Sequence, residues 1–208
     1  GFGGAADADS AVPAVAVAAP APDFDAATAA RLAVNRIEPA GVGLRLHHPR
    51  RQVDFTPEGI RVSGRRGISW SWQLTGVRSA AGRSLIEAQS TLPAAAGREK
   101  VVYDHGALQE EYLLGTDSIE QRFVLPLALP LDGEDLVVLG VVRSSGAFSE
   151  SSRGWRWRDA NGEVTLGRAS VADASGRALP CRFEVSPVGT RLTVAGAALA
   201  AAVYPVVI

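Results

Sequence analysis

Three histidines (His47, His48 and His105), one cysteine (Cys181) and two Trp-x-Trp pairs are the residues of this chain with most chemistry to offer. Nucleophilic catalysis needs a nucleophile, a base and a group that orients the base. No Gly-x-Ser-x-Gly elbow is present, and His105 sits in Asp104-His105-Gly106, where His and Gly are ordinary turn residues. His47 and His48 are adjacent, so on a strand they point to opposite faces and only one can serve any site. There is no Asp-x-Asp-x-Asp loop for calcium, and a lone cysteine gives neither an intrachain disulfide nor a multi-cysteine metal site. Glu110 and Glu111 fall on opposite faces of a strand, which makes them poor partners for glycoside hydrolysis. The expectation is a protein that is not an enzyme, with no catalytic residues, no metal ligands and no cofactor.

The tryptophans admit two readings. On strands, Trp70 with Trp72, and Trp155 with Trp157, each share one face. Exposed, either pair is a flat platform for sugar rings; buried, it is core. Trp72 is followed two residues later by Leu74, which continues an apolar face. Arg153, Arg156 and Arg158 around the second pair raise single-stranded nucleic acid as a ligand, but a formal net charge of −1 supplies no field to attract it. No nucleic-acid partner is expected.

The elements that must position these residues are mostly strands. The chain has 208 residues, 47% hydrophobic and 21% charged, enough to bury a core. From Gly41 onward, short runs alternate with turn signals. Strands are expected at Val42–His47, Gln52–Phe55, Ile60–Val62, Ser69–Leu74, Lys100–Asp104, Gln109–Leu114 and Ile119–Leu125. A Pro-rich segment, Pro126–Glu134, then separates these from Asp135–Val142, Trp155–Arg158, Glu163–Leu166, Cys181–Val185, Arg191–Val194 and Ala202–Ile208. Asp159-Ala-Asn-Gly162 and Asp173-Ala-Ser-Gly176 read as hairpin turns. Asp25–Ile37 is the one helical candidate, capped by Asp23 or Asp25 and stopped by Glu38-Pro39. With no helices between strands, a parallel α/β sheet is excluded.

Residues 1–24 form an arm rich in Ala, Val and Pro. Val12, Pro13, Val15 and Val17 can lie extended, with Val15 and Val17 on one face. The arm either folds back on its own domain or adds as a strand to a neighbouring subunit. The sequence has no run of about 18 apolar residues, so no membrane insertion is expected.

Several ordered runs resemble a known family. They include Phe55-Thr-Pro-Glu-Gly-Ile-Arg-Val62, Trp70-Ser-Trp-Gln-Leu74, Val102-Tyr-Asp-His-Gly-Ala-Leu-Gln-Glu-Glu-Tyr112 and Gly115-Thr-Asp-Ser-Ile-Glu-Gln-Arg-Phe123. Arg158-Asp-Ala-Asn-Gly162, Val171–Pro180 and Ala202-Val-Tyr-Pro-Val-Val-Ile208 complete the set. In this order, over about residues 40–208, they resemble the N-terminal β region of large secreted bacterial surface proteins of myxobacterial type. That region usually precedes FG-GAP-type or related β repeats. The resemblance implies a surface location and a β fold, with no catalytic residue to carry over.

The sequence thus predicts an all-β protein with two consecutive β-sandwich-like lobes, an extended N-terminal arm and at most one short helix. The divisions are 1–24 (arm), 25–128 (first lobe) and 129–208 (second lobe). The expected role is a non-catalytic extracellular structural protein, with any signal segment removed. It would be a cell-surface scaffold or filament subunit that self-associates through the arm or joins further β repeats. The alternative is a glycan-binding or adhesion module using Trp70, Trp72, Trp155 and Trp157.

Overall fold

The structure, a computed structural model, describes residues 35–48, 51–64, 68–87 and 89–208. These residues are all-β apart from one short helix. Five strands open the fold as an antiparallel run: β1 (Arg36–Ala40), β2 (Gly43–His48), β3 (Arg51–Thr56), β4 (Gly59–Gly64) and the long β5 (Ser69–Ser79). Next come β6 (Ser84–Glu87), β7 (Ala94–Ala95), β8 (Lys100–Asp104), β9 (Gln109–Leu114) and β10 (Ile119–Leu125). The second half holds β11 (Leu136–Ser144), β12 (Ala147–Ser151), β13 (Gly154–Asp159), β14 (Gly162–Leu166), β15 (Cys181–Ser186) and β16 (Gly189–Val194). A five-residue helix, α1 (Gly196–Ala200), and β17 (Val206–Val207) end the chain.

Three sheets result. The largest has nine strands in the order β1-β2-β3-β4-β5-β11-β16-β15, with β6 also on β5. A five-stranded sheet runs β17-β10-β9-β8-β7, and a three-stranded sheet runs β12-β13-β14. Both small sheets pack on the large one. Phe55 meets Tyr112 with ring centroids 5.3 Å apart, and Trp72 meets Phe123 at 5.8 Å. Trp70 meets Trp157 at 5.9 Å, and Trp155 meets Phe183 edge-on at 5.3 Å. Two sandwich-like lobes therefore follow one another along the chain and share one sheet. Among the described residues, strand pairing crosses the Pro126–Glu134 segment in two places: β11 pairs with β5, and β17 pairs with β10.

Within β5 the buried face changes phase. Trp70, Trp72 and Leu74 are buried, and beyond them Val77 and Ser79 are. A bulge accounts for the change: Leu139 pairs with Gly76 and Gly140 with Leu74, leaving Thr75 without a partner residue. The Thr75 hydroxyl donates to the Leu139 carbonyl at 3.2 Å and closes the bulge. In the turn into β4, Gly59 has φ +113°, a conformation that favours glycine.

Three expectations are corrected. The helix expected over Asp25–Ile37 does not reach its end, because Arg36 and Ile37 lie in β1, paired with His47 and Leu46. Pro39 sits inside that edge strand, where a missing N–H is tolerated. Residues 25–34 of the expected helix lie outside the described residues, as does the arm with Val12, Pro13, Val15 and Val17. Second, the strand expected at Ala202–Ile208 shrinks to Val206–Val207, and it joins β10 of the first lobe because Val206 and Ile208 bury there. Third, the four tryptophans are core: Trp70 is 6% exposed, Trp72 4%, Trp155 5% and Trp157 1%. No indole offers a face to a sugar ring, so the proposed ligand platform is overturned.

Candidate functional site

Chemistry-bearing groups converge in two places. The first is a buried polar array on β8, β9 and β10. Glu110 is 2% exposed and shares the inward face of β9 with Tyr112. Its Oε1 accepts from the Tyr112 hydroxyl and, at 2.9 Å, from Gln121 Nε2. Its Oε2 lies 3.2 Å from His105 Nε2, and His105 Nδ1 lies 3.3 Å from the Thr91 hydroxyl. Tyr103 stacks on His105, and its own hydroxyl donates to the Thr56 carbonyl at 3.0 Å. Burial, reinforced by Glu110, holds both the Tyr103 and the Tyr112 phenol above the ordinary tyrosine range. An open depression of about 430 Å³ lies beside Thr91 and His105.

An acid, a histidine and a hydroxyl are thus assembled, which the sequence did not suggest for His105. The arrangement is spent internally. Both ring nitrogens and both Glu110 oxygens have protein partners, and the Thr91 hydroxyl also donates to the Gln89 carbonyl at 3.2 Å. These bonds tie Thr91 and the β8–β9 turn to β9 and β10. Glu111 points the other way, to Lys100 at 2.7 Å. His47 pairs with Glu38 at 3.0 Å, and His48 meets the Thr116 carbonyl at 2.8 Å. Among the described residues no three His, Cys, Asp or Glu side chains gather as a metal site, and no helix is long and apolar enough to cross a membrane.

The second place is a cleft of about 750 Å³ between the two small sheets, floored by the large one. Ile60, Val62, Ile68 and Trp70 form the floor; Tyr112, Gln121 and Asp117–Ile119 form one wall. The other wall is the whole run Asn161–Leu166. Side chains of a strand alternate between its faces, so a space lined by six successive residues lies along the strand's edge. That edge is free, because β14 pairs with β13 and no other strand among the described residues. In a two-residue hairpin closed by Asp159 and Gly162, the alternation of antiparallel bonding turns the backbone N–H and C=O of Glu163 and Thr165 outward, into the cleft.

Local sequence chemistry fixes this wall. Asp159 Oδ1 accepts from the backbone N–H of Asn161 at 2.7 Å and of Gly162 at 3.0 Å, and Ser145 Oγ donates to Asp159 Oδ2 at 3.0 Å. Gly162 lets the strand sit on Ile68: a Cβ there would lie 3.0 Å from the Ile68 Cγ2. At the far end Arg51 reaches from β3 to the β9–β10 turn, donating to the carbonyls of Asp117 at 2.7 Å and Ser118 at 3.3 Å. Burial lowers the affinity of this guanidinium for its proton, with Asp117 opposing. Two cleft residues carry a buried nitrogen with no acceptor among the described residues, Trp70 Nε1 and Arg51 Nε.

Comparison with protein-family models, with curated proteins and with solved structures found no match.

Proposed function

We propose that this chain is a non-catalytic structural protein of the bacterial cell exterior, a scaffold or filament subunit that self-associates by strand addition. The observation that carries the reading is the free edge of β14 facing an apolar-floored cleft. An unpaired edge is a template for another strand, and proteins ordinarily blunt or cover such edges. Here it is neither bulged nor interrupted by proline, and it is set in a walled slot. Strand addition supplies affinity through main-chain hydrogen bonds and specificity through alternate side chains.

The surface location rests on the resemblance of residues 40–208 to the N-terminal β region of secreted bacterial surface proteins. The internal use of His105, Glu110 and all four tryptophans favours a structural role over catalysis or sugar binding. Sedimentation of the full chain over a hundredfold concentration range tests the reading. Mass rising in whole multiples of the chain supports it; a monomer throughout contradicts it.

A further inference from the structure

We infer that the strand received by the β14 cleft is the segment Ala11–Val17 of a neighbouring copy, in a register set by Pro13. This rests on the self-association reading and adds the donor, the acceptor and the pairing.

Four observations converge. First, the described chain starts at the cleft. Asn35 is buried, and its side-chain amide donates to the carbonyls of Leu114 at 3.2 Å and Gly115 at 3.1 Å. That is the same turn whose Asp117–Ile119 stretch forms a cleft wall. The described residues therefore begin beside the slot.

Second, length allows a neighbour's cleft to be reached. Val17 precedes Asn35 by 18 residues, a tether of up to about 60 Å when extended. A compact chain of this size is roughly 40 Å across, so the tether spans a neighbour.

Third, composition fits. Ser10 to Pro22 is uncharged, as an apolar floor requires. Alternation puts Pro13, Val15 and Val17 on one face, suited to Ile60, Val62 and Ile68, and leaves Val12, Ala14 and Ala16 on the solvent side. Fourth, the buried nitrogens of Trp70 and Arg51 lack acceptors. Buried donors are almost always partnered, and an incoming main chain brings carbonyls.

Proline then fixes the pairing. In a strand the N–H and C=O of one residue point to the same side, and its neighbours' point to the other. Pro13 has no N–H to give, so it belongs to the set facing away from β14, with Val15 and Val17. With the arm antiparallel to β14, Val12, Ala14 and Ala16 bond to the outward backbone of Glu163 and Thr165. The side-chain faces agree: Glu163 and Thr165 are exposed on the solvent side, where Val12, Ala14 and Ala16 would also lie.

The test pairs two substitutions within the arm. Ala14→Pro removes an N–H facing β14; Ala11→Pro changes the same residue type on the set facing away. Hydrogen exchange of the Glu163 and Thr165 amides is followed in the full chain at low and high concentration. The expected result is slowing of at least tenfold at high concentration in the wild type and in Ala11→Pro, lost in Ala14→Pro. Protection independent of concentration overturns the inference, since the arm would then occupy its own cleft. So does protection retained in Ala14→Pro. Association with the β14 amides unprotected removes the cleft assignment but leaves self-association standing. A chain monomeric at every concentration removes both.

Discussion

The indole N–H of Trp72 on β5 donates to the Thr190 hydroxyl on β16 at 3.0 Å, passing over Gly140 of the intervening β11. The two residues are 118 apart in sequence, so this bond ties the chain's halves within one sheet. Thr190 is itself buried, at 8% exposed, so the bond is made away from water. Thr190→Val keeps the shape and leaves the indole donor unpaired, which costs about 1–3 kcal/mol. Urea denaturation reads the loss, and Thr190→Ser, which retains an acceptor, recovers most of it.

Gly140 is the space that the indole uses. A Cβ at this position would lie 2.3 Å from Trp72 Cε2 and Cζ2 and 2.4 Å from Nε1. Gly140→Ala therefore forces Trp72 off its seat and costs about 1–3 kcal/mol, as overpacking does. A Trp near-ultraviolet dichroism signal altered together with stability is the expected signature. An unaltered spectrum at full stability would mean that the indole has room to spare.

Glu110 is the hub of the buried array. Glu110→Leu strands the Tyr112 hydroxyl, the Gln121 amide and a His105 nitrogen at once. The expected cost is about 3–5 kcal/mol. Glu110→Gln retains a carbonyl acceptor and loses less. Denaturant midpoints of the two variants, compared with the wild type, check the order.

Asp173 gives the fold a contribution to stability that depends on pH. Its side chain is fully enclosed. The Ser175 hydroxyl first, then the backbone N–H groups of Arg177, Val203 and Ser175, hold its carboxyl well below the usual carboxylate range despite the opposing push of burial. A lowered native value stabilises the fold fully above the unfolded carboxylate value, about 4, and that contribution drains as pH falls toward the native value. Asp173→Asn therefore lowers the melting temperature at pH 7, and the gap from the wild type narrows below about pH 4. Thermal melts from pH 7 to pH 2.5 follow both curves.

Much of the fold is legible in the sequence, and its failures have local causes. β8, β9 and β10 have the bounds that alternation gives, because Gly and Asp turns bracket them cleanly. β5 outruns its expected end at Leu74 because the Thr75 bulge breaks the period of two, so Val77 and Ser79 fall out of phase. Arg36 and Ile37 follow a helix-favouring Ala/Leu/Arg stretch, yet pairing with β2 prevails over propensity. The Trp-x-Trp pairs read correctly as sharing a face, but only the packing of a second sheet decides that the face is buried. The cleft left no local signal: Trp70 and Thr165 are far apart in sequence, and the slot exists only where the two small sheets fail to meet.

Strand addition between copies is tested most directly by trapping it. One preparation carries Ala14→Cys and another Glu163→Cys or Thr165→Cys, all with Cys181→Ala so that no native thiol competes. Residues opposed across adjacent strands bring their Cβ atoms about 4.5–5.5 Å apart, close enough for mild oxidation to join them. A disulfide-linked dimer of the two kinds of chain is expected when they are mixed, and none when Val188→Cys, on an exposed turn outside the cleft lining, replaces the β14 cysteine. Failure of both β14 positions to trap the arm, at concentrations where the chain associates, would contradict it.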